Sequence, residues 1–295
     1  MDNMTAMVSC FSRAYHYKNN SEWVFKDAIA GSILSEEEYN AIANNMTKGI
    51  SYFAPNFKGT NDEALRFIVD HQLSPSVLVR SAFCENALHN AMMFGCKQYA
   101  VFASGYDTYS LRTSRSDLRM FELDLPEMIS DKCNRISRNE LKERCQANYI
   151  PCDLSQNTWQ KLLIDSGLDK EKTAFGSLLG ISYYLRKEEF AALLGAISEI
   201  WCEGSSICFD YPSYEEGAES AKNQELAQAA GEQMKAKYSY SEMEKMLADY
   251  GFLIYEHHDK DSATEQFFKK YSKKTPDHVM SAPKGVNYCL AVRKG

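Results

Sequence analysis

From Gln98 onward, short apolar runs rich in β-branched and aromatic residues alternate with longer stretches whose apolar positions recur at helical spacing. The pattern predicts strands over 98–103, 119–124, 147–153, 174–182, 205–211, 251–257 and 286–293. Helices are predicted over about 126–144, 156–166, 187–201 and 240–250. Alternation of this kind implies parallel pairing with helices on both faces, a Rossmann-like α/β sheet. A long connection, 260–284, with helical signals only over 264–271, precedes the last strand and suits its antiparallel insertion.

Residues 1–95 carry no strand alternation and predict helices over 4–16, 35–46, 62–71 and 75–93. Ser35 ahead of Glu36, Glu37 and Glu38 is a good helix start, since acids in the first turn meet the positive end of the helix dipole. The expected organisation is a helical N-terminal lobe or lid over 1–95 and a sheet domain over 96–295 with an insertion at about 213–238. Residues 214–237 are polar, Ala- and Glu-rich and helical by propensity. They read either as an inserted lid helix or as a solvated surface helix.

An ordinary balance of 44% hydrophobic and 25% charged residues over 295 positions allows one large domain with a lobe. The net charge of −7 argues against a nucleic-acid partner, whose phosphates require a basic face. Nine cysteines without a CxxC pair read as free thiols in a reducing compartment, not as a disulfide framework or a metal site. No signal-peptide pattern and no bilayer-length apolar run is present, so a cytoplasmic, membrane-free protein is expected.

Candidate chemistry concentrates between Gln98 and Glu127. The first strand opens into Ala103-Ser104-Gly105-Tyr106-Asp107-Thr108, and the second ends at Asp124, 19 residues after Gly105. A strand, a tight turn with a small residue and an acid about 20 positions later is the layout of a nucleoside site in a doubly wound sheet. The three-glycine fingerprint of dinucleotide-dependent dehydrogenases is absent.

Other motifs follow in order: Arg80-Ser81-Ala82-Phe83, Phe121-Glu122-Leu123-Asp124-Leu125-Pro126, Asp153-Leu154, and Leu179-Gly180-Ile181-Ser182-Tyr183-Tyr184-Leu185. Val24-Phe25-Lys26-Asp27-Ala28-Ile29-Ala30 precedes them. With these segments the chain resembles the leucine carboxyl methyltransferase family, a branch of the class I S-adenosylmethionine-dependent methyltransferases that includes the tetracenomycin carboxyl methyltransferase. The resemblance covers roughly residues 22–255. It implies the seven-stranded methyltransferase sheet, S-adenosylmethionine as cofactor and S-adenosylhomocysteine as product.

Residue by residue, the resemblance implies that Arg80 pairs with the carboxylate of the cofactor's methionine part, for which a guanidinium fork is suited. Ala103, Ser104 and Gly105 would let backbone approach that part, and Asp124, with Leu125 beside it, would accept from the ribose hydroxyls. Cys152, Asp153 and Leu154 would border the adenine, and Leu179 and Gly180 would close the cradle. Asp124 and Asp153 also read as helix N-caps, and Glu122 points to the other side of its strand. Three positions depart from the family. Ala103 replaces a glycine, a mild change at ordinary φ; Tyr109 replaces an arginine; and Leu179 replaces an acid, leaving its hydrogen bond to Ser182 or water.

Methyl transfer from a sulfonium is an in-line displacement, so the expected work is positioning and water exclusion. A carboxylate acceptor needs no base at neutral pH, whereas a hydroxyl acceptor does. The expected partner is a small-molecule carboxylate or hydroxyl. Tyr184 and His257 are the candidate catalytic groups, with Tyr183, His258 and His278 behind them. The alternative is a non-catalytic relative that binds the cofactor or its product.

Overall fold

The structure, a computed structural model, describes residues 4–215 and 234–295. Seven strands form one sheet: β1 (Gln98–Phe102), β2 (Arg119–Asp124), β3 (Ala147–Pro151), β4 (Phe175–Leu178), β5 (Ser206–Pro212), β6 (Phe252–His258) and β7 (Val286–Arg293). Their order is β3-β2-β1-β4-β5-β7-β6. β7 runs antiparallel to both β5 and β6, and the remaining pairs are parallel. The expected seven-stranded sheet with an antiparallel last strand is therefore present.

Period-two alternation divides the sheet's side chains between two cores. Ala100, Phe102, Phe121, Leu123, Ile207 and Phe209 face one core, which includes Trp159, Leu193 and Leu247. Tyr99, Val101, Met120, Cys208 and Leu290 face the other, against Leu78, Phe83 and Leu88.

Six helices precede the sheet: α1 (Met4–Lys18), α2 (Ala30–Ile33), α3 (Glu36–Lys48), α4 (Ile50–Phe53), α5 (Asn61–Ile68) and α6 (Ser74–Met93). Ser35 caps α3 in a full capping box with Glu38. The two helices expected over 62–71 and 75–93 are joined, because a wide π turn over Val69–Leu73 connects α5 to α6. There Ser74 N–H bonds to Val69 O, five residues back, and the widened turn admits Pro75, which lacks an N–H and would crowd a regular helix.

Within the sheet domain, α7 (Tyr109–Arg112), α8 (Pro126–Arg138), α9 (Trp159–Asp165), α10 (Lys187–Ile200) and α11 (Tyr240–Asp249) connect the strands. Predicted boundaries run too long where local punctuation intervenes. β4 stops at Leu178, not at 182, because Gly180 takes φ +72° and Ser182–Tyr184 form a 3-10 turn. β3 ends at Pro151, and α8 ends at Arg138, with Glu140 at φ +51° soon after. The 260–284 connection is more helical than expected: α12 (Lys260–Ala263), a π turn (Thr264–Phe268) and α13 (Lys269–Lys274) follow one another. The lid helix expected within 214–237 lies almost wholly outside the described residues. Among those described, no helix is long and apolar enough to cross a membrane, and all nine cysteines are free.

Candidate functional site

The carboxyl ends of β1, β2 and β4 open into one cavity of about 270 Å³, roofed by α1 and flanked by α6. After β1 the chain turns sharply, with Ala103 at φ +52° and Gly105 at φ +48°. Replacement of the family's glycine by Ala103 is thus not mild, since the residue sits in the left-handed region that costs an L side chain about 1–2 kcal/mol. A Cβ on Gly105 would meet the Ala6 Cβ of α1 at 3.5 Å. Gly105 N–H donates to Asp124 Oδ2 at 2.7 Å, and Leu125 N–H to Oδ1 at 2.8 Å. Burial raises the Asp124 carboxyl above its usual range, against these two bonds, which lower it.

Arg80, Ala103, Ser104, Gly105, Asp124, Leu125, Leu179, Gly180 and Tyr184 all line this cavity. Cys152, Asp153 and Leu154 do not. Cys152 is buried and its N–H bonds Asp124 O at 2.8 Å, while the exposed Asp153 accepts from Ser155 N–H at 2.9 Å, as a turn cap does. Leu154 lines a neighbouring cavity of about 310 Å³ with Trp159 and Ile181; Ile181 lines the first cavity as well.

Sequence reasoning missed two groups. Thr5, Ser9 and Arg13 of α1 line the first cavity, and Arg13 is tied there by Asp27, its Nε donating to Oδ2 at 2.9 Å. Asp27 also accepts from Thr108 Oγ1 at 2.7 Å and pairs with Arg112 at 3.3 Å, so it joins α1, the turn after β1 and α7. The second group is Asp210 on β5, fully buried. Its Oδ1 accepts Gly180 N–H at 2.6 Å, and its Oδ2 faces Tyr183 Oη at 2.9 Å and Arg80 Nη1 at 3.5 Å. Ser182 does not stand in for the acid absent at Leu179; it is buried and donates to Asp210 O at 2.6 Å.

A second cavity of about 240 Å³ adjoins the first and shares Thr5, Ser9, Arg80, Gly180 and Tyr184 with it. Val8, Leu73, Val77, Pro212, Met234 and Val286 give it apolar walls, and Tyr183 and Lys284 add polar ends. No histidine or carboxylate belongs to its described lining. His257 is on edge strand β6, its Nε2 2.8 Å from Tyr211 Oη, and lines neither cavity. His258 faces Phe83 from the opposite side of the strand, and His278 lies on the surface beside Arg66. Among the described residues no cluster suited to a metal ion occurs.

The first cavity therefore offers two guanidinium groups, Arg13 and Arg80, two carboxylates, Asp107 and Asp124, and a small-residue turn, groups suited to the parts of an amino-acid-bearing nucleoside. Ser104 Oγ, buried in its lining without a hydrogen-bond partner, adds a polar group suited to a ligand.

Comparison with known proteins agrees. The sequence profile described as leucine carboxyl methyltransferase matches residues 6–198. YktD of Bacillus subtilis, named as a candidate S-adenosyl-L-methionine-dependent methyltransferase, is 33% identical and the match spans 99% of this chain and 98% of that one. Among solved structures, a DUF574 family protein from Streptomyces avermitilis has a TM-score of 0.59 at 12% identity over 97% of each chain. A candidate methyltransferase from Thermobifida fusca has a TM-score of 0.57 at 12% identity over 85% and 94%. At such identity the two structures bear on the fold alone. Fold, cavity and relatives together define an S-adenosylmethionine-dependent methyltransferase. The chain belongs to the leucine carboxyl methyltransferase family.

Proposed function

We propose that the chain methylates a carboxylate oxygen of a small molecule, with S-adenosylmethionine in the first cavity and the acceptor in the second. In this reading Arg80 takes the methionine carboxylate, Asp124 the ribose hydroxyls, and the turn of Ala103, Ser104 and Gly105 the methionine backbone. The adenine extends towards Ile181 and Leu154. Residues 1–95 act as the covering lobe and 96–295 as the methyltransferase domain.

The observation that carries the reading is the junction of the two cavities at Arg80, Gly180 and Tyr184, which brings a bound acceptor against the reacting end of the cofactor. The cofactor supplies an electrophilic methyl on a sulfonium. The chain's own work is to align the acceptor oxygen, exclude water and hold the charges in place.

The described lining of the second cavity holds Arg80 and Lys284 but no group that would take a proton from a hydroxyl at neutral pH. Tyr183 is an acid in this setting: burial first, and the Asp210 charge second, keep its phenol protonated. A carboxylate acceptor is already ionised and is drawn by Lys284, so it needs no base where an alcohol would.

Transfer of labelled methyl from S-adenosylmethionine to a panel of small carboxylic acids and phenols tests this. Label released by mild alkali as methanol marks an ester and supports the reading. Alkali-stable label on phenols alone would overturn the carboxylate assignment.

A further inference from the structure

We propose that Asp210 is a positioning residue of the transfer site, holding Arg80 and the Gly180 peptide in place from β5. This rests on the reading of the first cavity as the S-adenosylmethionine site.

Every residue of β5 is buried, and Asp210 has no exposure at all. A carboxylate there is tolerable only if donors surround it. Its donors come from three separate segments: Gly180 N–H from the turn after β4, Tyr183 Oη from the 3-10 turn, and Arg80 from α6. All three belong to cavity walls. Gly180 and Arg80 line both cavities and Tyr183 lines the second, so one buried group fixes the wall where the two meet.

The geometry at Arg80 is the most telling. Its Nη1 faces Asp210, and its Nη2 donates to Ser9 Oγ at 3.0 Å. A guanidinium carries five N–H groups, so others remain for a ligand carboxylate. Gly180 lies so close that an added Cβ would stand 2.6 Å from Arg80 Nη1. Asp210 thus holds both the cation and the peptide beneath it, without touching the ligand.

Isothermal titration of the full chain with S-adenosylhomocysteine and with 5′-methylthioadenosine, which lacks the amino-acid part, tests the role. Asp210→Asn keeps the shape and removes the charge. It is expected to weaken S-adenosylhomocysteine about tenfold, the scale of one misplaced charge-assisted pair, and to leave 5′-methylthioadenosine within about twofold. Tyr183→Phe removes one donor from Asp210 and is expected to show the same selectivity at about threefold, which keeps the test open if the first variant does not fold. Arg80→Gln should reproduce the selective loss, with Asp210→Asn adding nothing further to it. Unchanged S-adenosylhomocysteine binding in both Asp210→Asn and Tyr183→Phe, or equal weakening of the two ligands, would overturn the proposal. A wild-type chain that binds neither ligand would overturn the cofactor reading itself.

Discussion

Gly105 donates its backbone N–H to Asp124 Oδ2 at 2.7 Å, across the tips of β1 and β2. Both carboxylate oxygens take one backbone bond, which orients them and leaves lone pairs directed elsewhere. Only the ionised form accepts twice more, so cofactor binding should follow the charge on Asp124.

Burial raises the Asp124 carboxyl, so it gains its proton at a higher pH than an ordinary aspartate, near 3.9. S-adenosylhomocysteine affinity is expected to fall as pH drops from neutral into the acid range. Asp124→Asn should bind at least about tenfold more weakly and show a flatter profile. Since a raised carboxyl favours the folded state on protonation, this group adds stability as pH falls and does not itself cause acid unfolding. Binding loss should therefore precede any loss of circular dichroism. A variant with wild-type affinity and pH dependence would remove Asp124 from the site.

Ala103 at φ +52° carries strain that a glycine would not. The left-handed conformation costs about 1–2 kcal/mol, and Ala103→Gly gives back about 0.4–1 kcal/mol through the greater entropy of the unfolded chain. The net expectation is a gain of about 0.5–1 kcal/mol, read as a higher urea midpoint at unchanged slope. A lower midpoint would mean that the turn is not strained.

The strand positions, both sheet faces and most helices follow from periodicity, because apolar alternation is local, whereas the order β3-β2-β1-β4-β5-β7-β6 is set by long-range pairing. Gly105 and Asp124 stand out by their spacing from the first two strands and Arg80 by the family resemblance, and the structure brings all three to one cavity. Asp210 does not stand out: an acid inside the apolar run Ser206–Pro212 breaks the pattern, and only the folded sheet shows its three donors. The same holds for Thr5 and Ser9, whose place over the cavity depends on how α1 packs. The sequence extends β4 past its true end because Leu179 and Ile181 are apolar, whereas the turn at Gly180 goes with its contacts to Arg80 and Asp210.

Asp27 joins α1, α2 and the turn after β1, accepting also from Ile29 and Ala30 N–H at 3.1 and 3.0 Å. Burial opposes its charge, but Arg13, Arg112 and Thr108 prevail and hold its carboxyl below the usual range. Its contribution to stability is therefore present above the unfolded-state value and lost as pH falls through the lower folded one. Asp27→Asn leaves two buried guanidinium groups short of a partner and is expected to cost about 3 kcal/mol by urea titration at neutral pH. A cost below about 1 kcal/mol would show that Glu85, which also pairs with Arg112, carries the network.

Gly180 separates stability from binding most cleanly. It sits at φ +72°, so Gly180→Ala costs about 1–2 kcal/mol from the backbone. The new methyl would also press on Arg80 Nη1 at 2.6 Å, and that atom ends a flexible side chain that can swing aside. The fold should survive with a modestly lower urea midpoint while the cation leaves its place between Asp210 and Ser9. S-adenosylhomocysteine affinity should then drop about tenfold, and 5′-methylthioadenosine affinity should hold. A variant that loses stability as expected yet binds both ligands like wild type would show that the placement of Arg80 does not govern cofactor binding.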